Sequence, residues 1–179
     1  MRALFRQKVT WAVVIVAVLA GAASLWAFEP WRLFTSSTID EPLPVAAATQ
    51  VSTAPTMTTP APAGPKELAG GTFVTQEHET SGQASVLELA DGSRVLRLTN
   101  LSTSDGPDLH VWLTDATAGG EWGKYDDGRQ VKLGELKATR GNQNYVIPAG
   151  ASLDGVRSVV IWCDRFNVAF GSAALPIAS

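Results

Sequence analysis

Between Gln83 and Leu101 the chain reads QASVLELADGSRVLRLTNL, with apolar and polar residues alternating on both sides of Asp91-Gly92. Side chains on a strand point alternately to opposite faces, so a period of two with a turn in its middle predicts a β-hairpin. Asp-Gly supplies the positive φ angles that a tight hairpin turn needs. Leu87 and Leu89 share one face of the first strand, and Leu96 and Leu98 one face of the second.

The same period runs through most of the chain after Leu68. DLHVWLTD alternates Leu109, Val111 and Leu113 against His110 and Trp112, and QVKLGEL, NYVIP, VRSVVIWC and NVAFGSAAL follow as short strands. Glycine and Asn/Asp clusters separate them, and no helical periodicity with caps interrupts them. Many short strands with regular turns predict an all-β domain, an antiparallel β-sandwich or barrel, over residues 68–179.

The N-terminal third has a different composition. MRALFRQK, residues 1–8, carries Arg2, Arg6 and Lys8, and residues 9–28 follow without a charge. About 20 apolar residues cross a bilayer core as a helix, and indoles such as Trp11, Trp26 and Trp31 favour its interfaces. Residues 9–28 are therefore expected to form a single transmembrane helix, with residues 1–8 cytoplasmic and the domain extracytoplasmic. The rival is a signal peptide cleaved near Gly21-Ala22-Ala23, giving a secreted domain; the apolar run is longer than a usual signal core. Residues 29–67, which include STAPTMTTPAPAGPKE, have little to bury and are expected to be an extended, disordered linker.

Charge and cysteine count exclude several functions. The net charge is −3, and the domain has thirteen Asp and Glu against nine Lys and Arg, so no basic surface is present to follow nucleic-acid phosphates. One cysteine in 179 residues excludes intramolecular disulfides, CxxC zinc knuckles, cysteine-held iron–sulfur clusters and covalent haem attachment. No catalytic triad, metal motif or nucleotide loop is recognisable, so a stand-alone enzyme is not expected.

The blocks GPDLHVWL, LGELKATRGNQNYVIP and SVVIWCDRFNVAFGSAAL, preceded by GTFVTQEHETSGQASV, occur in that order. Together they closely resemble the DM-thirteen domain, the electron-transfer DM-thirteen family, across residues 68–179. The resemblance implies a compact, commonly extracytoplasmic β domain, an antiparallel β-sandwich of DOMON-like or jelly-roll-like form, found in some proteins beside DOMON domains. It also implies a redox role proposed for the cysteine of the IWC block, here Cys163. The expected function is thus a membrane-anchored accessory redox or electron-transfer module of the bacterial envelope. The alternative is a non-redox module binding envelope partners or carbohydrate.

Cys163 has two readings. A thiol between Trp162 and Asp164 is a redox candidate, but VVIWC is apolar on both faces of its strand, which predicts burial. Low dielectric and a neighbouring carboxylate both raise a thiol pKa. For haem, Met1 and Met57 lie outside the domain, which leaves His78, His110 and Cys163 as ligand candidates. The same three are the candidate donors of a His₂Cys copper site. His78 sits in the polar stretch QEHETSG, and His110 shares a strand face with Trp112. Asp105 and Asp108 are too few carboxylates for a calcium cage.

Two further segments are binding-surface candidates. GGEWGKYDDGR is expected to be a mobile hairpin loop that exposes Trp122, with Tyr125 beside it. GNQNY, with Asn142, Gln143, Asn144 and Tyr145, reads as a polar ligand loop or as a turn whose amides satisfy backbone groups. The aromatics Trp112, Trp122, Tyr125, Tyr145 and Trp162 either line an electron-hopping path or fill the core.

Overall fold

The computed structural model describes residues 2–28, 35–44 and 64–177. One helix, α1 (Arg2–Phe28), precedes nine strands. These are β1 (Thr38–Asp40), β2 (Lys66–Thr75), β3 (Ser81–Glu88), β4 (Arg94–Ser102), β5 (Leu109–Thr114), β6 (Gln130–Glu135), β7 (Arg140–Ile147), β8 (Ser158–Cys163) and β9 (Val168–Ala174).

All nine strands lie in one sheet, in the order β1-β7-β4-β3-β2-β9-β8-β5-β6. The all-β expectation holds, but two separate sheets do not form, because β2 belongs to both halves. Its residues Lys66–Thr72 pair with β3, and Phe73–Thr75 pair with β9. Gly71 sits at this changeover, where a Cβ would come within 2.0 Å of the Ala174 carbonyl oxygen. Only a residue without a side chain lets β2 pass that close. The sheet curls on this strand until its halves face each other. Ala84, Val86, Leu96 and Leu98 then pack with Val111, Leu113, Val159 and Ile161 in one core.

The predicted β3–β4 hairpin is present. Gly92 has φ 78°, and the Ser93 N–H donates to Asp91 Oδ1 at 2.9 Å. Its register sets Val86 opposite Leu96 and Ala84 opposite Leu98. Leu87 pairs with Val95 and so faces away from the main core.

The stretch 29–67 departs from a simple linker. Within it, Thr38–Asp40 forms β1, the one parallel strand among the described residues, paired with Arg140–Asn142 of β7. β2 also begins at Lys66, two residues before the expected domain boundary. Gly141 at φ 100° makes the β1 contact possible, since a Cβ there would lie 2.0 Å from the Ile39 carbonyl oxygen. Glu41 fixes the far end: its Oε1 lies 2.8 Å from Lys137 Nζ, and its Oε2 accepts the Asn144 N–H at 2.6 Å. The proline-rich residues 45–63 lie outside the described residues.

The helix expected at residues 9–28 forms and extends back to Arg2. Among the described residues, however, no helix is long and apolar enough to cross a membrane. Trp11 and Val13–Trp26 are the side chains of α1 that the structure describes. Val13, Ile15, Val16, Val18 and Leu19 among them are exposed.

Candidate functional site

β8 is buried along its whole length. Val159, Ile161 and Cys163 face the main core, while Val160 and Trp162 face outward. Outward burial comes from the segment after β5. Its 3₁₀ turn Lys124–Asp126 drives Tyr125 onto Trp162, with ring centroids 6.4 Å apart. Trp112 of β5 packs on the other side of Trp162 at 5.2 Å, and Lys132 Nζ stands 4.3 Å from the Trp112 ring centroid. Tyr125 is 0 % exposed and its hydroxyl donates to Ser172 Oγ at 2.9 Å. The expected mobile hairpin is thus clamped. Trp122 remains half-exposed above it, its carbonyl accepting the Ala169 N–H at 3.0 Å.

Cys163 is 0 % exposed and unbridged. Burial raises its thiol pKa; the N–H groups of Phe166, Arg165 and Asp108 oppose that rise, and the Asp108 charge adds to it, leaving the pKa above the ordinary thiol range. A raised pKa in a closed core suppresses thiolate chemistry with bulky reagents. The thiol and Trp162 are consecutive residues on opposite faces of one strand.

The remaining candidates separate. The His78 ring lies on Phe170 at 4.0 Å. His110 Nε2 lies 2.9 Å from Asp108 Oδ1 and 3.6 Å from Asp164 Oδ2. The three donors weighed for haem or copper therefore do not converge. The group that does converge, among the described residues, is Asp108, His110 and Asp164, with ligand atoms within 4.8 Å of one another. The sequence offers His110 as a donor and Asp108 only beside Asp105 as part of an incomplete calcium set, and it does not place Asp164 with either. Asp164 enters by the β5–β8 register, which pairs His110 with Trp162, and its N–H donates to the Asp108 carbonyl at 3.0 Å. Beside this group opens a polar cavity of about 230 Å³ lined by Asp105, Asp108, Glu135, Ser37 and Thr139, among others.

GNQNY is neither a turn nor a loop: it lies within β7. Gln143 is buried and bonds Ala138, its Nε2 donating to the carbonyl at 2.6 Å. Asn142 accepts from the Asn100 N–H and reaches Asp40, while Asn144 bonds Arg97 and the Pro42 carbonyl. Tyr145 donates to Gln143 Oε1 at 2.7 Å. These amides hold β1 and the β6–β7 connection, so their hydrogen-bonding capacity is spent inside the domain.

A family model described as "Electron transfer DM13" matches residues 72–175, more than half of the chain. No curated protein and no solved structure matches it.

Proposed function

The chain belongs to the electron transfer DM13 family, and from that premise we propose that it is an accessory electron-transfer module whose redox centre is Cys163, reached through Trp162 and Trp112. The observation that carries this reading is the continuity of oxidisable side chains. Trp112, Trp162 and Tyr125 form one packed group, and Cys163 follows Trp162 directly in the chain. A thiol sealed in the core is poorly placed to exchange disulfides with a partner, which favours one-electron traffic through the rings. In that traffic an oxidant partner takes one electron from the indole pair. Cys163 refills it, losing one electron to the ring and its thiol proton to solvent water to become a thiyl; a reductant partner then returns the electron and water the proton.

The exposed indole of Trp122, whose carbonyl accepts the Ala169 N–H beside Trp162, offers a partner a docking point. Exposed apolar side chains on α1 support tethering of the domain at a membrane surface, outside the cytoplasm. Photo-oxidation by a soluble one-electron oxidant tests the reading. Thiol loss, titrated after unfolding, is expected in the wild type and several-fold slower in Trp162→Phe. Equal loss in both proteins would exclude the indole route.

The binding-module alternative draws on Trp122 alone, since the β7 amides are occupied. It predicts that Trp122→Ala abolishes partner capture while Cys163→Ala leaves capture unchanged.

A further inference from the structure

We propose that Asp108, His110 and Asp164 form a binding site for a divalent transition cation of the zinc class, independent of any redox role of Cys163. The first ground is geometric. Two carboxylates converge on one imidazole nitrogen, which carries at most one hydrogen and so can serve at most the nearer, Asp108 Oδ1 at 2.9 Å. Asp164 Oδ2 is left 3.6 Å from that nitrogen and 3.9 Å from Lys132 Nζ, outside hydrogen-bonding distance of both. An ion between the three would give each ligand atom a bond of about 2.0–2.2 Å, which requires these atoms, all within 4.8 Å of one another, to draw together by side-chain rotation.

The frame is already in place. His110 is the second residue of β5 and Asp164 directly follows the last residue of β8, and the Asp164 N–H to Asp108 carbonyl bond at 3.0 Å ties the two carboxylate-bearing residues together. The chemistry selects the ion class. One imidazole with two carboxylates suits zinc or manganese better than soft cuprous copper, and Cys163 faces the opposite side of the sheet. With a neutral histidine the two carboxylates balance a 2+ ion. Each ligand is partly exposed, so water completes the shell, and the cavity lined by Asp105, Asp108 and Glu135 provides an acidic approach. Lys132 is the resident competitor. A bound cation would displace it from Asp164, and it already stands over the Trp112 ring, 4.3 Å from the centroid, where it can remain.

Calorimetric titration of the full chain with Zn²⁺ alone tests the site, with Co²⁺ absorption as a second readout of the ligand set. One saturable equivalent is expected, weakened at least about tenfold in His110→Ala and in Asp164→Asn. Lys132→Ala should tighten binding, a gain that misfolding cannot produce. Ca²⁺ and Mg²⁺ should compete poorly. Absence of saturable binding, equal affinity across these variants, or equal competition by Ca²⁺ would each overturn the proposal.

Discussion

The Tyr125 hydroxyl donates to Ser172 Oγ at 2.9 Å, joining the segment between β5 and β6 to the outer face of β9. This bond holds the ring that closes Trp162 from solvent. Tyr125→Phe should cost about 1 kcal/mol, the usual worth of one such bond. Tyr125→Ala should cost roughly 3–5 kcal/mol, as for other buried aromatics, and should raise Trp162 quenching by acrylamide. Chemical denaturation with tryptophan fluorescence reads both.

Cys163 lies inside the main core, so thiol reagents should label it only as fast as the domain opens. Labelling should become rapid in denaturant. Cys163→Ala should lower stability by roughly 1–2 kcal/mol through the small void it leaves. Cys163→Ser should cost at least as much, since it buries a hydroxyl. Rapid native-state labelling would contradict the burial on which the indole route depends.

Glu41 closes β1 onto β7. Burial pulls its pKa up, but the Lys137 hydrogen bond, the Asn144 N–H and the Lys137 and Arg97 charges outweigh that and hold it below the ordinary carboxylate value. A carboxyl with a depressed folded pKa stabilises above its unfolded pKa, and that stabilisation is lost as pH falls through the folded one. Hydrogen exchange at Ile39 and Asp40, corrected for intrinsic rates, should therefore accelerate on acidification. Glu41→Gln should show the same fast exchange at neutral pH.

Tyr145 gives the opposite limb. Burial pushes its phenol up to about 12, against the Lys137 N–H bond and with the Glu41 charge adding to the rise. The neutral phenol is the form the fold favours, so its stabilisation is complete below pH 10.0, the ordinary value, and is lost as pH rises through about 12. Phenolate absorbance of Tyr145 should thus appear with alkaline unfolding, and Tyr145→Phe should shift that transition upward.

Legibility of the fold followed the range of the forces involved. The β3–β4 hairpin was readable because Asp91-Gly92 and its flanking alternation are local, and burial of Cys163 because VVIWC is apolar on both faces. β1 was not readable: Thr38–Asp40 is too short for a periodic signal and is held by Gly141 and Glu41 contacts with a distant strand. GNQNY looked like a turn because its amides suit one, whereas β1 and Ala138 satisfy them in place. The glycine-rich composition around Tyr125 suggested a loose loop, and the partners that clamp its ring, Trp162 and Ser172, come from β8 and β9. Asp164 joined His110 only through the register of two strands.

Cys163 is proposed to exchange electrons with its indole neighbours from inside the core. Pulse radiolysis of the wild type and Cys163→Ser, generating the indolyl radical and timing its decay, tests it most directly. The account predicts several-fold faster decay in the wild type, with Trp162→Phe decaying as slowly as Cys163→Ser. Identical decay in the wild type and Cys163→Ser would contradict it.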